Sequence, residues 1–295
     1  MSEPIEASAL ITFNSRDLSG GALLTCMPEY LAGKEDVALG PDDNWLPIMQ
    51  KTVSEFRSLF LYPGKRYKFE PTETVRGLTL PSGCSVVGNG ASLVVDEDND
   101  YISNSEHGTW SAIGAGSLRR SAKNVRVSGV RLEIGKQTNN LHIALKGINV
   151  WGEGEIVGCS FEGYRAGEKN EAFVAKVSER TKEQGGPEHP AGVSRVNFNY
   201  FGQPQTIEGQ VIDGWRPEHT LAFCTGELIG NIGKLVVGKD DPPVFLVGSR
   251  GRGALLYNNT LFVKGAVHKA RPVNDNPDVI NYADSKFSNR VVFYY

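Results

Sequence analysis

Five stretches of this sequence align with one another, and that internal likeness constrains the fold more than any other feature. VRVSGVRLEI, GEIVGCSFEG, GVSRVNFNYF, GELIGNIGKL and ALLYNNTLFV each run an apolar pair into a small or polar turn position and then alternate apolar residues. Gly129, Gly158, Arg195, Gly230 and Asn258 are the turn anchors of an irregular repeat of about thirty residues, each unit holding two or three short strands. A unit that small cannot bury its own apolar face. Stacked on its neighbours it can, because each strand pairs in parallel with the one above and the inward side chains form a continuous column. The sequence therefore predicts an all-β chain folded as a parallel β-helix, a solenoid in which Val127, Ile156, Leu228 and Phe262 share one lengthwise core.

The remaining sequence agrees with this reading. Leu59-Phe60-Leu61-Tyr62 runs into Pro63-Gly64, Leu78-Thr79-Leu80 into Pro81-Ser82-Gly83, and Ser85-Val86-Val87 into Gly88-Asn89-Gly90. These are β-type runs between strong turn signals. One helix stands apart near residues 45–56, where Trp45, Ile48/Met49, Val53 and Phe56 recur at three- and four-residue steps behind the N-cap candidates Asp42-Asp43-Asn44. Pro47 fits its first turn, where a missing N–H costs nothing. An open stack exposes unpaired strand edges, and this helix is placed to cap one end. The apolar and aromatic Arg290–Tyr295 covers the last coil or an adjacent subunit.

Composition excludes several classes. Lys and Arg total 31 against 34 Asp and Glu, a net charge of −3, which argues against nucleic acid as a partner. No apolar run approaches the ~18 residues of a membrane helix, and the first residues lack the basic region of a secretory signal peptide. Cys26, Cys84, Cys159 and Cys224 form no CxxC pair and read as reduced, buried small hydrophobes.

Residues 42–95 resemble the entrance of pectate-lyase-like right-handed β-helix proteins, bacteriophage tailspikes especially. The resemblance rests on Asp42-Asp43-Asn44, the helix ending near Phe56, Leu61-Tyr62-Pro63-Gly64 with Tyr67, and Leu80-Pro81-Ser82-Gly83 with Val87-Gly88-Asn89-Gly90. It implies a right-handed coil over residues 42–295, preceded by an arm, residues 1–41, that anchors the chain or makes oligomer contacts. The length leaves little room for the separate virion-binding and trimerisation domains that tailspikes usually carry. One fold hosts many functions, so activity has to be read from residues.

Those residues point to sugar chemistry at most. Pro-Glu-His occurs twice, at Pro187-Glu188-His189 and Pro217-Glu218-His219, about one repeat apart, so both copies can emerge on the same flank. Glu188, His189, Glu218 and His219 are thus the candidates for an acid/base pair, against the plainer reading of two unrelated polar loops. Trp151 and Trp215 offer apolar plates for a sugar ring, and Arg216 a fork for a carboxylate. Glu153, Glu155, Glu162 and Glu171 are further acids of the central coils. Gly88-Asn89-Gly90 lacks the third glycine and the following helix of a nucleotide fingerprint, and Asp96–Asp100 lacks the glycine and glutamate of a calcium loop. No cofactor or metal motif is legible. The expected function is a non-catalytic structural component of a bacteriophage-like virion, a capsid or tail decoration made in the host cytoplasm. It would be homotrimeric, bound to other virion proteins and holding a surface polysaccharide. The alternative is a polysaccharide depolymerase, hydrolase or lyase.

Overall fold

The computed structural model describes residues 22–24, 42–103, 108–117, 119–138, 143–167, 172–178, 193–205, 219–241, 243–249, 254–273 and 285–294. They are predominantly strand, arranged in three series. Sheet 1 contains β1 (Ala22–Leu24), β2 (Ser58–Leu61), β5 (Ser85–Val87), β8 (Ala122–Ser128), the second half of β10 (Ala144–Val157), β13 (Ser194–Asn197), β16 (Glu227–Ile229), β19 (Leu255–Tyr257) and β22 (Ser285–Phe287). Sheet 2 contains β3 (Arg66–Lys68), β6 (Ser92–Val95), β9 (Arg131–Ile134), β11 (Ser160–Glu162), β14 (Tyr200–Phe201), β17 (Ile232–Val237), β20 (Thr260–Gly265) and β23 (Arg290–Phe293). Sheet 3 contains β4 (Leu78–Leu80), β7 (Thr109–Ala115), the first half of β10, β12 (Ala172–Ser178), β15 (His219–Cys224), β18 (Val244–Gly248) and β21 (Ala270–Val273). The pairings between these strands are parallel. The chain visits sheets 1, 2 and 3 in turn, so each repeat hydrogen-bonds to the repeats before and after it. That order is consistent with a β-helix-like fold.

The inward rows meet in one core. Val127 lies beside Ile156, Ile156 beside Val196, and Leu228 beside Leu256, all at most 1% exposed. Phe262 departs from expectation. It sits half-buried on the outer side of β20, while its neighbours Leu261 and Val263 face the core at 0% exposure. The repeat alignment itself sets Leu261 with Leu132 and Phe161, and Phe262 with Glu133 and Glu162, so Leu261 continues the core row in place of Phe262, and one residue reverses the face.

Sheet 1 passes to sheet 2 through a residue with positive φ in successive repeats: Gly129 (62°), Gly158 (63°), Phe198 (57°), Gly230 (65°), Asn258 (53°) and Ser288 (58°). Four of the five anchors read from sequence stand at this corner. Arg195 does not. It lies within β13, and Phe198 takes the corner, a bulky residue in a conformation that favours glycine.

The residue after that corner carries the main polar feature of the interior. Asn199, Asn231, Asn259 and Asn289 form a ladder, spaced by 32, 28 and 30 residues. The Asn199 amide donates to Asn231 Oδ1 (3.1 Å), the Asn231 amide to Asn259 Oδ1 (2.9 Å), and the Asn259 amide to Asn289 Oδ1 (2.7 Å). Each also satisfies backbone: Asn231 Nδ2 donates to the Val196 carbonyl (2.7 Å), and Asn231 Oδ1 accepts from the Asn199 N–H (3.1 Å). Asn199 and Asn231 are 1% and 0% exposed, so these bonds replace water at corners that the sheet ladders leave unpaired. Cys159 holds the equivalent place one repeat earlier, its N–H donating to Asn199 Oδ1 (2.9 Å).

An ionic row runs along the outside of sheet 1. Arg126, Glu155, Arg195 and Glu227 are successive register partners. Arg195 donates to Glu155 (2.7 Å) and to Glu227 (2.8 Å), and Arg126 stands 3.7 Å from Glu155. Glu155, one of the acids of the central coils, is therefore engaged in holding repeats together.

At the first repeats, α1 (Leu46–Phe56) packs against β1, β2 and β4 with Leu46, Met49 and Val53 fully buried. Asn44 Oδ1 accepts from the Leu46 N–H (3.1 Å) and the Glu70 N–H (2.9 Å), tying the helix start to the end of β3. Trp45 meets Tyr67 edge-on at 5.3 Å. Phe56 is the exception to the expected apolar face. It is 48% exposed, because the backbone turns into a left-handed cap at Arg57 and β2 carries the chain away.

Candidate functional site

The outer face of sheet 3 differs from the other two. Beyond its midpoint, β12, β15 and β18 are buried on both faces, whereas β17 in sheet 2 alternates strictly. Its outward side chains are aromatic and cationic. Phe173 and Phe223 lie 4.6 Å apart, and Lys176, on the strand between Trp151 and Phe223, places its ammonium 3.7 Å from the centre of the Trp151 ring. A desolvated cation over an indole face is attracted by the ring's negative face, so Lys176 fixes the plane of Trp151. Lys176 itself is 8% exposed.

Beside Trp151 opens a groove of about 490 Å³, lined by Trp151, Asn149, Ser111, Ser117, Arg119 and the small residues Gly114 to Gly116. Register explains the assembly. Gly114, Asn149 and Lys176 are successive partners across β7, β10 and β12, and Trp151 stands two residues beyond Asn149 on the same face. Asn149 Oδ1 is buried without a hydrogen-bond donor. A carbonyl oxygen in that state costs about 1–3 kcal/mol unless a ligand or water supplies a proton. The groove runs on through Ser111 and Gly114 into a second depression of about 250 Å³, where Tyr101, Trp110, Thr79 and Arg76 line the wall. The two form one track across β4, β7 and β10, with an aromatic residue near each end. Among the described residues, no carboxylate lines either part.

The other sequence candidates fall as follows. Glu188, His189, Trp215, Arg216, Glu218 and Glu171 lie outside the described residues. His219 is in the interior at 3% exposure, on β15, its ring edge-on to Tyr164 at 6.1 Å and its Nδ1 without a partner. No solvent-facing flank therefore presents this imidazole, and burial pushes its pKa down to about 4. The unfolded chain takes up the proton near the ordinary 6.5, the folded chain only near 4, so stability is lost as pH falls through that window. His219→Phe should abolish a loss of about 2–3 kcal/mol between about pH 7 and pH 4.5, measured as the difference in urea unfolding between the two proteins. An equal pH dependence in both would show that His219 does not titrate in this way.

Glu153 lies on β10 with Glu155, and sheet 2 carries Glu162. Glu133 and Glu162 are direct register partners on β9 and β11. Glu133 takes hydrogen bonds from Arg66 (2.6 Å) and Ser92 (2.7 Å), on the side of the earlier repeats. Glu162 leans the other way onto Gly202, accepts from the Gln203 N–H (3.0 Å), and has its pKa raised, burial being the largest cause. Both line a shallow depression of about 410 Å³ with Arg131 and Asp96. Among the described residues, no three His, Cys, Asp or Glu side chains converge as a metal site, and no helix is long and apolar enough to cross a membrane.

These features define a protein of stacked parallel sheets with an aromatic track across one outer face. No family model, curated protein or solved structure matches the chain.

Proposed function

We propose that the chain is a rigid, non-catalytic glycan-holding rod of a bacteriophage-like virion. On this reading the three sheets are the faces of a right-handed parallel β-helix of the pectate-lyase-like, tailspike-like kind, formed by residues 42–295. Residues 1–41 make the contact with the larger assembly. The rod is homo-oligomeric, a trimer, and its partners are other virion proteins. The entrance supports this reading, since Asn44 bonds the start of α1, Trp45 meets Tyr67 edge-on, and α1 packs against the first strands.

The observation that carries the glycan is the Trp151 track. Lys176 occupies one face of the indole, leaving the other for a sugar ring, and the unpartnered Asn149 Oδ1 accepts a sugar hydroxyl. A shallow, elongated groove with aromatic residues near both ends suits an extended chain of sugars, and its described lining of amide, hydroxyl and arginine groups suits holding one. Trp151→Ala should weaken binding to host surface polysaccharide at least about tenfold in affinity electrophoresis, a loss of about 1.4 kcal/mol. Unchanged retardation would remove the track from the proposal. Copurification with assembled particles tests the virion placement separately.

A depolymerase is the second reading, favoured by Glu133 and Glu162. Like charges directly opposite on neighbouring strands are unfavourable for a sheet, and two carboxyls in unlike surroundings suit acid and base roles. Release of oligosaccharides from the polysaccharide, abolished by Glu162→Gln, would establish it in place of the first.

A further inference from the structure

The corner between sheets 1 and 2 changes character along the stack. Among the described residues, eight large hydrophobic side chains are exposed, and four of them, Phe198, Tyr200, Ile232 and Tyr257, lie at this corner in three successive repeats. Tyr200 and Ile232 are register partners on the outside of sheet 2, and Tyr257 pairs with the half-buried Ile229 on the outside of sheet 1. Earlier repeats place Ser92, Arg131 and Ser160 in the row that Tyr200 and Ile232 continue. The apolar patch is thus confined to the later repeats of a row that starts polar, and a patch of that kind is the mark of a protein contact.

Phe198 adds a second observation. Its φ of 57° is one that glycine adopts freely, and glycine stands at the equivalent corner as Gly129, Gly158 and Gly230. The ring does not serve the core, for Phe198 is 62% exposed. It rests against Gly230, where a Cβ would stand 2.6 Å from a ring carbon, so the next repeat leaves it room. An aromatic residue held outward at a conformational cost implies a role beyond its own chain.

Charge indicates which partner fits. Outward from Gly230 the repeat is balanced about its corner: Ile229 and Ile232 flank it, followed by Glu227 on sheet 1 and Lys234 on sheet 2. Glu227 ends the ionic row, because its next register partner is Leu255. On the other side, β14, β17, β20 and β23 contain Lys234, Lys264 and Arg290 and no Asp or Glu. A second copy set alongside in the same direction, corner to corner, brings its Lys234 to the height of Glu227, with the isoleucines between. A copy turned end for end would set Glu227 against Glu227, which is unfavourable.

We infer that this corner, from Phe198 to Tyr257, is the axis-facing contact of a parallel, side-by-side homotrimer. Phe198, Ile229, Ile232 and Tyr257 of three copies enclose the axis, and Glu227 of each copy faces Lys234 of the next. The inference rests on the trimer of the proposed function, and names the surface that makes it. Rotation about an axis along the stack closes the ring, so the assembly stops at three copies. Sheet 3, the sheet that does not meet at this corner, keeps its outer face and the Trp151 track open to a glycan.

The test uses the full chain, with a photo-crosslinking phenylalanine analogue at position 198 and a mixture of isotopically light and heavy protein. Sedimentation should show a trimer, with light–heavy cross-links from position 198 into residues 227–234 and 257–260. Lys234→Glu should weaken association about tenfold, and adding Glu227→Lys should restore most of it, a rescue that a purely structural role for either side chain would not give. Phe198→Gly should weaken association comparably with unchanged circular dichroism, since glycine suits the corner. A trimer indifferent to Lys234→Glu and Phe198→Gly would overturn the corner contact while leaving the trimer. Cross-links from position 198 to other parts of the neighbour, or only within one chain, would do the same. A monomer or a dimer at all concentrations would overturn both.

Discussion

Replacing Asn231 with leucine is expected to lower stability by about 4 kcal/mol and the melting temperature by about 8–16 °C. The side chain is 0% exposed and takes part in four bonds: to the Val196 carbonyl, to Asn259 Oδ1, and from the backbone and side-chain amides of Asn199. Leucine is similar in size, so little volume is lost. What is lost is the partner of the buried Asn199 N–H and that of the Val196 carbonyl, and an orphaned buried group costs about 1–3 kcal/mol. Asn289→Leu provides the internal comparison. Asn289 lies in the last described repeat and is half-buried, so water can replace part of what it gives, and about half the cost is expected. Chemical denaturation followed by circular dichroism measures both. Equal, small losses at the two positions would mean that the ladder decorates the corner and does not hold it.

Gly152→Ala should be of similar size, about 3–5 kcal/mol, for a different reason. β10 passes from sheet 3 to sheet 1 without a loop, and the passage is made at Gly152, whose φ is +130°. Side chains rarely tolerate that conformation, and a Cβ there would also collide with the Ala122 backbone, with its nitrogen at 2.7 Å and its carbonyl carbon at 2.9 Å. Backbone cannot swing aside as a side chain can. Gly158→Ala separates the two causes. Its φ is +63°, but nothing lies within 4 Å of the added carbon, so only the left-handed penalty of about 1–2 kcal/mol remains. The two proteins should differ clearly in urea midpoint and in soluble yield. If they match, crowding at the β10 passage contributes nothing.

Parts of this structure could be read from residues and parts could not. The parallel repeat was legible because glycine or asparagine at a left-handed corner leaves a trace every thirty residues or so. It was lost where Phe198 takes the corner, since bulky residues are not expected there. The asparagine ladder left a trace that the alignment did not use: Asn199, Asn231, Asn259 and Asn289 each follow the corner residue directly. Trp151 was legible as a lone aromatic. Its setting was not, because Lys176, Gly114 and Ser111 reach it through strand register and not through sequence proximity. The repeated Pro-Glu-His motif suggested a shared flank, yet His219 turns inward, for motif likeness says nothing about which side of a strand a residue occupies.

The row Arg126, Glu155, Arg195, Glu227 has a consequence for how such a chain can lengthen. Its signs alternate, and each arginine or glutamate faces an opposite charge on the neighbouring strand. Deleting one unit between them would press glutamate on glutamate or arginine on arginine, and inserting a single copy would do the same. Gene duplication across this region therefore preserves the alternation only by adding or removing units in twos, a parity rule written into the surface and independent of the core.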